Sequence, residues 1–475
     1  MLPACPEEVF LFYAIDQIGA CANFIFPGTP LSEVENTMEE FNSTKLIILE
    51  DILQQPNNLV NNPKIDIVTT TLTGKYQIDE NNICPWNEFY ELGKHVNIPI
   101  YKRNQEKPLF IAKTGGSTGK PKAVVLSDRH FNLQVHQHLN SPINYSSGDR
   151  WVRLWPLFSA SAAVSSSHLP LCYGMLSVLE PKFDINKLDE IVMRSKPSHM
   201  PIISSCIDSL ISSQLINGQD LSFIKTLGIG GEGVTAEFEE KAEQFMIEHN
   251  IDSCMTYGYG MTENASGVTS RFNRETSSVG SVGVPQINTV VSTFDLETNE
   301  ELQYGEEGEI CVLSSTFMLG YYGNEQKTNE IFKMHNDGNI WLHTGDIGYI
   351  DENGHVFIKG RTKRVIFIFT GEKVYPLDLE ELLETIEEID KVIVVAEPDP
   401  EHEGALVPCC FVTLSSQISK EELEQKVSTL LKEKAANYVR INNIHIKDHM
   451  PKTAIGKIDW KQLEEEAKTL SKKKQ

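Results

Sequence analysis

Several features that announce common protein classes are missing from this chain. Its nine cysteines include no C-x-x-C pair and follow no regular spacing. That excludes a zinc-ribbon or disulfide-framework reading and implies reduced thiols in a cytoplasmic protein. Cys409 and Cys410 are adjacent in an apolar run and read as core thiols. Positive charge is scarce, with 42 Lys and Arg against 66 Asp and Glu, a net charge of −24. Nucleic acid and anionic membrane are thereby poor partners, and an anionic substrate needs a local basic site to draw it in. From Lys363 onward 17 basic residues face 21 acidic ones, so nearly all the excess lies in the first 362 residues. No basic n-region opens the chain, since Glu7 and Glu8 stand where one would be. The apolar stretch Val9–Phe26 is interrupted by Asp16, Gln17 and Asn23, which makes it a buried helix and strand rather than a membrane span. Internal repeats and low-complexity segments are absent. What remains is an ordinary globular composition, 40% hydrophobic over 475 residues, long enough for more than one domain.

The most informative stretch is Lys113-Thr114-Gly115-Gly116-Ser117-Thr118-Gly119-Lys120-Pro121-Lys122-Ala123. Backbone N–H groups at glycines can close around phosphate oxygens because no Cβ holds the ligand off. Ser117 and Thr118 add hydroxyl donors and Lys122 a flexible positive charge, each charge-assisted bond being worth about 1.5–3 kcal/mol. A P-loop is excluded, because Pro121 follows Gly119-Lys120 where Ser or Thr is required. The plain alternative is a flexible glycine linker. Apolar runs on both sides, Pro108–Ala112 and Ala123–Leu126, predict a strand-to-strand turn.

This stretch resembles the phosphate loop of the adenylate-forming enzymes: acyl-CoA synthetases, firefly luciferase and the adenylation domains of peptide synthetases. Their pattern is Thr-Ser-Gly-Thr-Thr-Gly-x-Pro-Lys-Gly, from which the chain departs at Gly115, Ser117 and Ala123, each a small residue for a small one. The resemblance covers nearly the whole chain and is nearest to the acyl-CoA synthetases. It implies an α/β fold: a large layered N-terminal domain with mixed sheets and packed helices over residues 1–362, and a small mobile α+β domain over 363–475. Members carry several dozen residues ahead of the segment that Glu8–Lys45 resembles, so the first subdomain is expected to be short, with a sheet edge less well covered.

Further motifs follow in family order. In Met255–Asn264, an aromatic between glycines can present its ring to a flat base, and a carboxylate can hold Mg²⁺. The local alternative is a glycine-rich turn and a helix capped at Thr262. The resemblance implies that Tyr259 stacks on adenine, Thr262 contacts phosphate and Glu263 coordinates Mg²⁺. Gly228-Ile229-Gly230-Gly231-Glu232-Gly233 fits G-x-G-x-x-G, so a Rossmann dinucleotide site competes here. The family instead has an element lining the adenine and acyl pockets, which Gly230, Gly231 and Glu232 match, with Gly258 and Gly260 beside them. Trp341–Tyr349 contains Thr344-Gly345-Asp346. A buried aspartate needs satisfied oxygens, which either a turn cap or two ribose hydroxyls would supply. The family uses this aspartate as its ribose anchor, with Arg361 reaching ribose or phosphate. In Met450–Asp459, locally a turn with lysines, the family's catalytic lysine corresponds to Lys457, and Lys452 reads as a surface neighbour.

Around residue 360 the pattern changes. Gly348–Ile358 reads as a hairpin about Asn353-Gly354. Pro376 opens an amphipathic helix carrying Leu379, Leu382, Leu383 and Ile386. Strands are predicted at 391–396, 405–414 and 443–447, a helix at 421–434, and a frayed end at Lys472–Lys474. Lys363 occupies the family's hinge position.

The implied reaction has two halves: a carboxylate attacks the α-phosphorus of ATP, and a thiol then takes the acyl group. ATP, Mg²⁺ and coenzyme A are the implied co-substrates and ion. The alternatives are a ligase that loads a carrier-protein phosphopantetheine in trans, and a truncated relative that binds nucleotide without catalysis. Amino-acid-activating members hold the α-ammonium with an aspartate near the region of Trp155. Here Leu157–Val164 carries no charge, which points to an acid without an α-amino group and with an apolar body. Ser159 stands where many acyl-CoA synthetases have histidine, and locally the segment reads as a small-residue helix in the core.

Overall fold

A computed structural model describes residues 1–54, 57–78, 82–97, 104–114, 122–138, 142–230, 236–253, 255–272, 278–370, 372–402, 404–435, 439–452 and 458–474. The chain packs as two units. One runs through Val290 and takes in Leu313–Phe332; the other holds Val291–Val312 and the residues from Lys333 onward.

At the centre of the first unit, Met255–Gly258, Thr226–Gly230, His199–Ile202, Arg150–Arg153 and Leu176–Leu179 lie side by side in that order, every pair parallel. Parallel neighbours need crossovers, and the helices Leu188–Ser195, Ser204–Ile211 and Ala236–Glu248 supply them. Leu188, Ile191 and Val192 recur at helical spacing and are buried against Val152, Met200, Ile202, Leu227 and Ile229 of the strands. This topology brings Gly230 and Gly258 to the carboxyl ends of adjacent strands, where open α/β sheets bind ligands.

A second sheet contains the two strands predicted on either side of the glycine-rich stretch. Phe110–Thr114 and Lys122–Leu126 are antiparallel with Thr114 opposite Lys122, so the two flanks of the glycine-rich stretch are held side by side. Ala22–Asn23 adds in parallel at one edge and Gly320–Tyr321 antiparallel at the other. The helix Pro6–Gln17 buries Leu11 and Phe12, with Phe12 against the rings of Phe24, Phe110 and Phe131. That is the buried helix and strand expected of residues 9–26. Among the described residues no helix is long and apolar enough to cross a membrane. A third, parallel sheet joins Lys45–Leu49, Asp66–Thr70 and Ile83–Pro85.

In the second unit, Gly308–Ser314, Ile340–Ile350 and Val356–Arg361 form consecutive antiparallel pairs, the last two being the expected hairpin about Asn353-Gly354. Beyond it, Ile389–Pro398 pairs with Leu406–Leu414, which pairs in parallel with Ile444–Ile446. Helices Pro376–Glu384 and Lys420–Lys434 cover these strands, and Ser419 closes a capping box with Glu422. Cys409 and Cys410 lie wholly buried within them, as expected. One element corrects the sequence reading: the tail is the helix Trp460–Lys474 rather than a frayed end, and it buries Leu463 and Ala467 completely. Its charge-rich surface masked a seam of two buried apolar positions among the described residues.

Three histidines of the first unit carry a pH prediction. The Ser127 N–H donates to His130 Nδ1 at 2.9 Å, so Nε2 carries the proton given to the Phe317 carbonyl. Burial lowers the pKa values of His130 and His199, and takes that of His138 from 6.5 to about 4. These neutral rings favour the folded state fully above the ordinary imidazole value, and that contribution drains as pH falls below it. Among the described carboxyls, Glu8 of this unit and Glu380 and Glu381 of the other work the other way, because burial raises their pKa values. The urea midpoint is expected to fall between about pH 7.5 and pH 5, and to fall less in His138→Phe. A midpoint equal at both pH values would contradict the assignment.

Candidate active site

Two of the residues singled out in the first unit are drawn together by one that was not. Lys122 leads out of the glycine-rich stretch into its strand. Its Nζ donates to the Tyr321 hydroxyl at 3.0 Å and lies 4.6 Å from the centre of that ring. The Tyr321 hydroxyl in turn donates to Glu263 Oε1 at 2.6 Å. Lysine, phenol and carboxylate thus form a chain across three segments far apart in sequence, and Thr114 stands opposite Lys122 on the neighbouring strand. Burial, reinforced by Glu263, pushes the Tyr321 hydroxyl well above its ordinary pKa, so it stays a donor. Glu263 is 9% exposed. A carboxylate so placed, with one oxygen turned by a phenol, suits a hard cation that takes oxygen ligands.

Glu263 sits in a single 3₁₀ turn, Thr262–Asn264, that ends at Ala265 with φ of 62°. A non-glycine residue in the left-handed region costs of order 1–3 kcal/mol and persists where its surroundings over-determine it. Here they do. Met318 N donates to the Glu263 carbonyl at 2.9 Å, and Asn264 joins the Thr316 hydroxyl at 2.8 Å and the Gly267 carbonyl at 2.8 Å. The local alternative at Thr262, a helix cap, gives way to this short turn. Tyr259 is half-buried, and its carbonyl accepts from Val268 and Thr269. Gly260 is demanded by the backbone, because a Cβ there would lie 2.0 Å from the Ser266 carbonyl oxygen. Gly230 ends its strand exposed, with no steric demand for glycine.

Ser159 has a local duty: its Oγ accepts from Ala162 N at 3.2 Å, capping the helix Ala160–Ala163. The small-residue helix expected there is present, but it passes through a π-helical turn, Val164–His168, before resuming as Leu169–Cys172. Such turns frequently mark functional sites. Ser165 in the turn meets the Ser266 hydroxyl at 2.7 Å.

In the second unit Asp346 is 3% exposed and lies opposite Arg361, whose Nε is 2.6 Å from Oδ1. The Thr344 hydroxyl donates to the Ile310 carbonyl at 2.6 Å and accepts from Asp346 N at 3.0 Å. Asp346 is a strand residue paired with a guanidinium. The Lys363 backbone lies in a one-turn 3₁₀ segment, Thr362–Arg364. Lys452 is exposed and bridges Ile458. Gly115, Gly116, Ser117, Thr118, Gly119, Gly231, Glu232 and Lys457 lie outside the described residues.

Tyr321 was missed because its short strand offers only a Gly-Tyr pair after an apolar residue, and nothing local links it to positions 122 and 263. Replacing it with phenylalanine keeps the ring under Lys122 but removes the hydroxyl that joins lysine to carboxylate. Tyr321→Phe is expected to lower nucleotide turnover about tenfold to a hundredfold while the thermal midpoint moves little, which steady-state kinetics and calorimetry would check. Unchanged kinetics would detach Tyr321 from the site.

A family model described as "AMP-binding enzyme" matches residues 1–322, and one described as "AMP-binding enzyme C-terminal domain" matches residues 378–457. The chain is 30% identical to 4-coumarate–CoA ligase 1 of Arabidopsis thaliana over 482 residues, covering 98% of this chain and 82% of the relative. It is 26% identical to the long-chain-fatty-acid–CoA ligase of Bacillus subtilis over 98% of this chain and 84% of that one. Among solved structures, the anthranilate CoA ligase AuaEII in complex with anthranoyl-AMP superposes with a TM-score of 0.83 at 22% identity, over 99% of this chain and 87% of that one. ATP-bound MatB from Rhodopseudomonas palustris superposes with 0.84 at 18% identity, over 99% and 88%. At those identities the superpositions establish the shared fold.

Proposed function

We propose that this chain, which belongs to the AMP-binding family of adenylate-forming enzymes and is an acid–thiol ligase working with ATP, Mg²⁺ and coenzyme A, takes as substrate a carboxylic acid with an apolar body and no α-amino group. The observation that carries the nucleotide half is the Lys122–Tyr321–Glu263 chain beside the Thr114–Lys122 strand pair. For the acid, the support is the uncharged run Leu157–Val164, which offers no partner for an ammonium group. Two relatives are named for acids of the same kind, 4-coumarate and a long-chain fatty acid.

In the first half-reaction a carboxylate oxygen attacks the α-phosphorus and pyrophosphate leaves. In the second a thiolate attacks the acyl carbon and AMP leaves. Anionic oxygens converge in the first step, so cationic groups must offset their repulsion. Lys122, Thr114, Gly115, Gly116, Ser117, Thr118 and Gly119 serve the phosphate end. Tyr321 holds Lys122 and Glu263 in register. Glu263 would hold Mg²⁺, which supplies charge neutralisation at the phosphates when bound, and Thr262 contacts phosphate. Tyr259 takes the adenine face, Gly231 and Glu232 serve nucleotide binding, and Asp346 and Arg361 serve the ribose. Ser159, Gly230, Gly258 and Gly260 belong to the acyl side. Lys457 neutralises charge in the first half alone, and Lys363 is the pivot between halves. The free thiols of all eight described cysteines support a reducing, cytoplasmic setting.

Pyrophosphate release with ATP, Mg²⁺ and a panel of aryl, alkyl and amino acids tests the reading, run with coenzyme A or with a phosphopantetheinyl carrier protein. Release with a non-amino acid and thioester formed on coenzyme A is the expected result. Thioester on the carrier alone would move the acceptor, and no release with any acid would favour a non-catalytic nucleotide binder.

A further inference from the structure

The strand register about Asp346 contains a local irregularity with a specific cause. Glu309 lies opposite Ile347 and Cys311 opposite His343, so one residue on the first strand faces three on the second. Thr344, Gly345 and Asp346 face Ile310 alone, a surplus of two residues that makes a bulge in the sheet, and bulges recur next to active sites because they re-aim side chains. Gly345 makes the bend with φ of 74°, and its N–H is turned out of the ladder. That N–H donates to Glu309 Oε1 at 2.9 Å. The other oxygen, Oε2, receives His343 Nδ1–H at 2.8 Å. The remaining nitrogen, His343 Nε2, is hydrogen-bonded to His335 Nε2 at 2.9 Å. The Thr344 hydroxyl bonds the carbonyl of Ile310, the residue between Glu309 and Cys311.

We propose that Glu309 is the positioning residue of the ribose site: its carboxylate clamps the Thr344-Gly345-Asp346 bulge and so aims the Asp346 carboxylate at the ribose hydroxyls of ATP. This rests on the reading of Asp346 as the ribose anchor. The same cluster invites a metal reading, since Glu309, Cys311 and His343 converge. Hydrogen bonds already engage both nitrogens of His343, and burial pushes the Cys311 thiol far up, keeping it protonated. The geometry is that of a clamp.

The test compares ATP with 2′,3′-dideoxy-ATP in the adenylation half-reaction. In the unaltered enzyme the dideoxy nucleotide is expected to have the higher KM. Glu309→Ala is expected to raise the KM for ATP about tenfold or more with kcat little changed, and to leave the KM for the dideoxy nucleotide nearly as it was. Glu309→Gln keeps an acceptor for Gly345 N–H, and a tautomer switch at His343 suits its amide, so it should recover most of the loss. A KM raised equally for both nucleotides would reduce Glu309 to general structural support and overturn the inference. If the unaltered enzyme does not distinguish the two nucleotides, the ribose anchor fails and this inference with it. Should Glu309→Ala not fold, Glu309→Asp, one methylene short of Gly345, is read by the same ratio. Zinc found in the purified protein and lost in Cys311→Ser would replace the clamp with a metal site.

Discussion

Lys457→Ala is expected to lower acyl-adenylate formation a hundredfold or more while leaving thioester formation from supplied acyl-adenylate within about twofold. The asymmetry follows from charge. In the first half-reaction an anionic carboxylate approaches a polyanionic nucleotide, and a cation aimed at the developing charge is worth about 2.7–4 kcal/mol in rate. In the second half pyrophosphate has gone, and the thiol meets a mixed anhydride with far less charge to offset. Lys452 is the matching control. It lies five residues earlier in the same motif, but it is exposed and bridges Ile458. Lys452→Ala should change neither half. Separate assays of pyrophosphate exchange and of thioester formation from synthetic acyl-adenylate make the comparison. Equal loss of both halves in Lys457→Ala would show a residue that shapes the protein rather than one that neutralises charge.

Much of the fold could be read locally because the relevant signals are local. Apolar runs on either side of the glycine-rich stretch meant two strands and a turn, and Thr114 opposite Lys122 is the outcome. Asn353-Gly354 between apolar runs meant a hairpin, and Pro376 marked a helix start. Local pattern could not supply the partners that complete the site. Tyr321 reaches Lys122 and Glu263 only because Gly320–Tyr321 adds to the edge of the strand Lys122–Leu126, a pairing between segments almost 200 residues apart. Glu309 is one acidic residue among 66 in the sequence. Its standing comes from a register shift between two strands, a property of the pair and of neither strand alone. The π-helical turn at Val164–His168 is equally silent in composition, since serines and a histidine there fit a regular helix or a loop.

The same limit applies to Glu8, which composition treats as an acidic residue near the start of the chain. It is 1% exposed and 2.8 Å from Arg153, itself 1% exposed, and its Oε1 accepts from Leu157 N at 2.7 Å. A buried pair of this kind adds little net stability, but breaking it strands a charge, at about 3–5 kcal/mol. The two ways of breaking it should not cost the same. Glu8→Gln leaves a buried guanidinium, which cannot give up its proton. Arg153→Met leaves a carboxyl that burial already pushes from 4.5 up to about 7, and which can escape by taking a proton. Glu8→Gln is therefore expected to be the more destabilising, and Glu8→Gln with Arg153→Met together to recover most of the loss. The sign of the pH effect separates them further. A carboxyl whose folded pKa exceeds its unfolded one contributes most below the unfolded value and loses that contribution as pH rises. Arg153→Met should thus regain stability on acidification from about pH 7, whereas Glu8→Gln should not. Urea unfolding of the three variants at two pH values decides it, and equal losses with the same pH slope would refute the asymmetry. Because Glu8 also holds Leu157, at the head of the segment assigned to the acyl side, the unstable variant should lose acid turnover before it loses nucleotide binding.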